Sequence, residues 1–191
     1  MRVAEEFLQD LGSKKEETLA LINEISDMVA YYKRLLERFE LDTLTGLPGS
    51  NRFREFTAGL ENRAKSAGVI FFDVNELKTY NDTKGHHAGD LLLQKAAESL
   101  HFLTSENVHV FRVGGDEFVV IITNREESAI DEILDKWRAK LAQLNSEDDG
   151  IHCSVAVGSA FGSGKYKIGD IMKLADERMY IEKRRRKDGA T

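Results

Sequence analysis

One cysteine and one proline occur in the 191 residues. A lone Cys153 makes an intramolecular disulfide impossible, and its place in the apolar run "IHCSVAVGSA" reads as a core thiol in a reducing compartment. With Pro48 alone, no Pro-rich stretch marks a rigid linker. No apolar run approaches membrane-spanning length, and the N-terminus "MRVAEEFLQDLG" lacks the apolar centre of a signal peptide. No direct membrane insertion is therefore expected, and the cytoplasm is the default location. Positive charge is not in excess either. Lys and Arg number 27 against 33 Asp and Glu, a formal charge of −6, which argues against nucleic acid held by phosphate neutralisation. What the chain does have is 41% apolar and 31% charged residues, enough for one globular domain and an appendage.

The appendage is at the front. Ala4, Leu8, Leu11, Lys15, Thr18, Ile22, Ile25, Val29, Tyr32, Leu36 and Phe39 alternate in steps of four and three, a heptad seam of about five repeats weakened by Lys15 and Thr18. Gly12 and Ser13 interrupt its first turns. A single amphipathic helix on its own domain would show a similar pattern, but the persistence of the seam favours a parallel dimeric coiled coil, with a homodimer through residues 18–39. The turn-forming stretch "DTLTGLPGSN" (42–51) ends that helix and divides a segment 1–41 from a domain 42–191.

Strands and helices alternate thereafter. Helices are expected at 51–66, over "ELKTYNDTKG", at 89–103, 125–144 and 168–186. Strands are expected at "GVIFFDV" (68–74), "VHVFRV", "DEFVVIIT" and "IHCSVAVGSA". The middle two strands form a hairpin around Gly114-Gly115, a two-residue loop of the kind that tolerates positive φ. The pattern is that of an α/β or α+β domain behind a long N-terminal helix.

Two strand ends carry acids. Asp73 closes "VIFFD", and Asp116-Glu117 open the arm after the glycines; if the strands are neighbours, Asp73 and Glu117 can share a divalent cation. An ideal ladder sends Asp116 and Glu117 to opposite faces, so only an irregular turn lets both reach one site. Singly, each reads as a solvated acid. In "NDTKGHHAGD" (81–90), Asn81 and Asp90 match the donor–acceptor edge of guanine, although Asp90 is also a natural N-cap. His86 and His87 read as loop residues, since no cysteine or third histidine stands at zinc spacing. The run "EKRRRK" (182–187) is either a solvated helix end or a polyphosphate clamp, and Lys78 adds a cation near Asp73.

Taken in order, four motifs resemble the GGDEF-domain diguanylate cyclase family: "DTLTGLPGSNR" (42–52), "FFDVNELKTYNDTKGHHAGD" (71–90), "RVGGDEF" (112–118) and "ADERMYIEKRRRK" (175–187). The resemblance implies a palm-like, mostly antiparallel central sheet flanked by helices, similar to nucleotidyl cyclases. It implies condensation of two GTP to cyclic di-GMP across a domain dimer with Mg²⁺, or Mn²⁺ in its place. Asp73, Glu117 and the Val74 carbonyl would hold the metal, with Asp116 a further ligand or a base for the 3′-hydroxyl. Lys78 would stabilise charge at phosphorus. Asn81 and Asp90 would bind guanine, with His86 near the base or ribose. Gly114 and Gly115 would lie along the nucleotide, and Lys183 and Lys187 would take the β- and γ-phosphates. An upstream sensor domain would lie outside these residues. At the positions of an R-x-x-D inhibitory motif this chain has Ser105 and Val108, so no product inhibition is expected there. The alternative is a GGDEF-like module that binds GTP or a partner without turnover.

Overall fold

The computed structural model describes residues 14–16, 18–32, 40–147 and 150–188, the side chains of 187 and 188 excepted. The chain divides into two units, Met1–Phe39 and Glu40–Thr191. In the first, residues 14–16 and 18–32 are helical, the latter forming α1. Ile22, Ile25, Val29 and Tyr32 of the seam are all about half exposed on it. The seam positions Ala4, Leu8, Leu11, Leu36 and Phe39, like residues 33–39 of the expected dimer helix, lie outside the described residues.

The second unit runs α2 (Ser50–Thr57), a short 3₁₀ turn (Leu60–Asn62), β1 (Ser66–Val74), α3 (Leu77–Lys84), α4 (His86–His101), β2 (Val108–Arg112), β3 (Glu117–Thr123), α5 (Ser128–Asn145), β4 (Val155–Ser163) and α6 (Ile168–Asp188). The four strands form one sheet in the order β2-β3-β1-β4, and every pairing is antiparallel. It is an α+β fold, as expected.

Strand alternation builds two cores from β1. Ile70, Phe72 and Val74 face a cluster with Leu92, Ala96 and Leu100 of α4 and Ile130, Leu134 and Trp137 of α5. Ala67 and Val69 face the opposite cluster, with Phe53 of α2 and Ile171 and Ala175 of α6. The first layer is locked by the edge-on contact of Phe72 with Trp137, at 4.9 Å between ring centres, and by the Trp137 indole N–H donating to Ser99 Oγ at 3.1 Å. Cys153 is buried, and burial pushes its thiol up to about 12, the inert core thiol expected.

On the second face, α6 lies directly on β4. A Cβ built on Gly158 would overlap the Met179 amide nitrogen and the Ala175 carbonyl of α6, so only glycine lets helix and strand approach this closely. Glu182 of α6 then accepts the Val157 N–H at the sheet edge (2.8 Å), and Arg178 donates to the Ser159 carbonyl (2.6 Å). The outer edge of β4 is thereby covered.

Three sequence expectations are corrected. Residues 51–66 are not one helix: Gly59 adopts a left-handed φ of 66° and ends it. Helix α4 begins at His86, after Gly85 at φ 86°, so Asp90 is inside the helix and does not cap it. The β2–β3 connection is longer than two residues, and neither Gly114 nor Gly115 has positive φ. Val113 N–H and Gly114 N–H both donate to the Glu117 carbonyl, at 2.9 and 3.3 Å, giving an irregular turn over 113–116.

Candidate functional site

Asp73 and Glu117 are direct cross-strand partners, the last pair of the β1–β3 ladder. Alternation from Val69 and from Val119 and Ile121, which face α6, turns both acids towards that helix. Lys183 meets them there. Its ammonium donates to Asp73 Oδ2 at 2.6 Å, a contact between residues 110 apart in sequence, with Asp73 only 5% exposed. Burial pulls the Lys183 ammonium down, but the bond to Asp73 and the charges of Asp73, Asp116 and Glu117 outweigh it and hold the group above its ordinary value. Burial pushes the Glu117 carboxyl up, and Asp116, Asp73 and Asp176 add to the shift against the pull of Lys183.

Asp116 is in the irregular turn, not on the ladder. Its carbonyl accepts the Val74 N–H at 2.9 Å, which pins the turn to the end of β1. Asp116 lines an open cleft of about 820 Å³, together with Val74, Asn75, Glu76, Leu77, Lys78, Thr79, Ser154, Lys183 and Arg186. Glu76 holds a left-handed backbone (φ 61°) at the start of α3, where no side chain caps the helix. The cleft thus combines three cations with uncapped helix N–H groups, a setting for phosphate oxygens.

The turn is braced from below. Arg112, at 10% side-chain exposure, donates to Asp42 Oδ1 (2.7 Å) and to the Gly115 carbonyl (2.6 Å). Burial would raise Asp42, but hydrogen bonds from Thr45 and Arg112 override it and hold the carboxyl below its usual range. A Cβ on Gly114 would lie 2.6 Å from Glu117 Oε2, whereas one on Gly115 meets nothing within 4 Å. The first glycine makes room for the carboxylate; the second leaves open space.

The remaining expected residues are on the α3–α4 hairpin. His86 and Asp90 stand four apart on α4, both exposed and on one face. The Asn81 amide presses against Gly89, where a Cβ would overlap it. Of the expected site residues, Val74, Lys78, Asp116 and Lys183 line the cleft; Asp73, Asn81, His86, Asp90, Gly114, Gly115 and Glu117 are outside its walls. The Lys187 side chain lies outside the described residues. Arg112, Asp42 and Asp176 carry no role in the sequence reading, and Arg186 enters it only as part of the basic run 182–187. Arg112 stands inside "RVGGDEF", and Arg186 is one helical turn from Lys183, which are the signals that could have found them.

Among the described residues, no three His, Cys, Asp or Glu side chains are arranged to hold a metal ion, and the Asp73 carboxylate is paired with the Lys183 ammonium. The donor set nevertheless fits a hard cation. Asp73, Asp116 and Glu117 offer only oxygen, and their mutual repulsion is what a cation relieves. No helix among these residues is long and apolar enough to cross a membrane.

A family model described as "Diguanylate cyclase, GGDEF domain" matches residues 39–189. The diguanylate cyclase DosC of Escherichia coli K12 is 28% identical over 191 residues, covering 94% of this chain and 39% of that protein. The cyclic di-GMP phosphodiesterase PdeB of Shewanella oneidensis is 26% identical over 181 residues, 92% of this chain and 21% of its own length. The chain therefore spans well under half of these curated relatives. Among solved structures, the coiled coil and GGDEF domain of DgcB from Caulobacter crescentus, in complex with c-di-GMP, shares the fold. Its TM-score is 0.74 at 21% identity, over 91% of this chain and 94% of that one. The chain belongs to the GGDEF-domain diguanylate cyclase family.

Proposed function

We propose that the chain is an active diguanylate cyclase, with residues 1–41 a signalling helix and 42–191 the catalytic domain, working in the cytoplasm. The observation that carries this reading is the convergence of Asp73, Glu117 and Lys183 on one sheet face beside a cleft holding Asp116 and Lys78. Each domain binds one GTP. The phosphates lie in the cleft along the N-terminus of α3, neutralised by Lys78 and Lys183, with Lys187 the second phosphate contact on α6. Asn81 and Asp90 read the guanine edge and His86 flanks the base or ribose. Gly115 leaves room for the nucleotide where a side chain would intrude, and Gly114 keeps Glu117 in place.

In the reaction, the 3′-oxygen of one GTP forms a bond to the α-phosphorus of the other while the α–β bridging bond breaks and pyrophosphate leaves. The same exchange on the opposite pair closes the ring. Asp116 accepts the hydroxyl proton, and Lys78 offsets charge developing on the equatorial oxygens. Mg²⁺, held by Asp73, Glu117 and the Val74 carbonyl, would lower the pKa of the hydroxyl and neutralise the transition state. Two domains must face each other, and α1 favours this: its exposed Ile22, Ile25, Val29 and Tyr32 suit a parallel homodimer. Such a helix raises the local concentration of the second half-site to about the millimolar range and could relay a signal from an upstream sensor.

A second reading, a GTP-binding module without turnover, draws support from the Lys183 ammonium on Asp73 and from the phosphodiesterase among the relatives. Incubation of the dimer with GTP and Mg²⁺ separates the two. Cyclic di-GMP is expected, with Glu117→Gln slower by about a hundredfold or more. No product from a confirmed dimer, with Glu117→Gln indistinguishable, selects the module.

A further inference from the structure

Helix α6 supplies a third cation to the cleft. Arg186 stands three residues after Lys183, so the two side chains share a helix face, and both line the cleft while Arg184 and Arg185 do not. Its guanidinium is held on one edge by Glu182: Nε and Nη2 donate to Oε1 at 3.0 and 2.6 Å. A pair of this kind on a bare helix surface would count for little. Glu182, however, is no swinging partner, because its other oxygen accepts the Val157 N–H at 2.8 Å and fastens it to the edge of β4. The bracket orients the opposite edge of the fork. There Nη1 reaches Ser154 Oγ at the long distance of 3.4 Å, and Ser154 Oγ also accepts Asn75 Nδ2 at 3.1 Å. At 50% side-chain exposure, that edge can exchange its weak hydroxyl contact for a phosphate oxygen at small cost.

We propose that Arg186 is a further substrate-binding residue, presented by Glu182 to the outer phosphates of the nucleoside triphosphate and to the pyrophosphate that leaves. The inference rests on the reading of this cleft as the triphosphate site. A planar, permanently charged fork grips two phosphate oxygens at once, as an ammonium does not. Arg186 thus selects for the tail and not for the base or the α-phosphate.

Calorimetric titration of the full chain with a non-hydrolysable GTP analogue and, separately, with GMP tests this. Arg186→Gln should weaken the analogue by about tenfold and leave GMP unchanged, and Arg186→Lys should fall between. GMP serves as the check that the site is folded. Analogue affinity within about twofold of wild type in Arg186→Gln overturns the proposal, as does an equal loss for GMP and analogue. Failure of the wild-type chain to bind the analogue at all would instead bring down the triphosphate reading itself.

Discussion

Burial and three like-charged neighbours, Asp116, Asp73 and Asp176, push the Glu117 carboxyl above its ordinary value, so this acidic cluster stores repulsion. A carboxyl whose folded pKa exceeds its unfolded value weakens the fold wherever it is ionised. The penalty is full above the folded pKa, shrinks as the pH falls through it, and is gone below the unfolded value near 4.5. Glu117→Gln removes it, so the variant should melt about 2 °C higher than wild type at pH 7, with the gap closing as the pH approaches 4.5. Asp42 has the opposite sign, its depressed pKa adding stability that is lost on acidification, but it is common to both proteins and cancels in the difference. A gap in melting temperature that is absent at pH 7, or that widens on acidification, would contradict the account. At this scale the sequence was partly legible. Asp73 and Lys183 were named from motifs, but their direct contact depends on which face of β1 each odd residue takes. The two glycines invited a left-handed turn that the chain does not make, because a turn closed twice on the Glu117 carbonyl needs no positive φ.

Helix α6 is the element on which the site turns, since it carries Lys183, Glu182 and Arg186 and adds Asp176 to the acidic cluster. Its position is set by Gly158, where strand and helix backbones touch. Ala at 158 would place a methyl group against main-chain atoms that no rotamer change can move aside. Gly158→Ala is therefore expected to destabilise the domain by about 3 kcal/mol, seen as a lower urea midpoint. The affinity for the GTP analogue should drop with it, because Lys183 shifts away from Asp73. Unchanged unfolding would show that the two layers are less tightly fitted than the distances indicate. Element existence and order were readable from the periods of the apolar residues; the boundaries failed at Gly59, whose left-handed backbone ends a helix the pattern ran through, and after Gly85, where α4 starts three residues ahead of the expected 89. A glycine within "VAVGSA" was the available sign of close approach, and it looks like any other small strand residue until α6 is laid upon it.

The whole domain is a four-stranded antiparallel sheet with a core on each face; the alternating segments left α/β and α+β open, and the antiparallel sheet was implied by the family motifs. What could not be read is which distant segments close on one another. The contact between Asp73 and Lys183 joins residues 110 apart, one on the first strand and the other near the end of the last helix. Any ligand that fills the cleft touches β1, the start of α3 and α6 at once, and so acts as a non-covalent staple between the beginning and the end of the domain. By mass action such a ligand raises the temperature at which the domain unfolds, by about 2.7 kcal/mol of stabilisation at a hundred times its dissociation constant. A GTP analogue should accordingly raise the melting temperature of the full chain, and Lys183→Gln should lose most of that rise; equal rises in both proteins would place the ligand elsewhere. Thermal stability then becomes a gauge of occupancy. In this architecture the helix that completes the fold also forms a wall of the cleft, so the folded state and the loaded state tighten together.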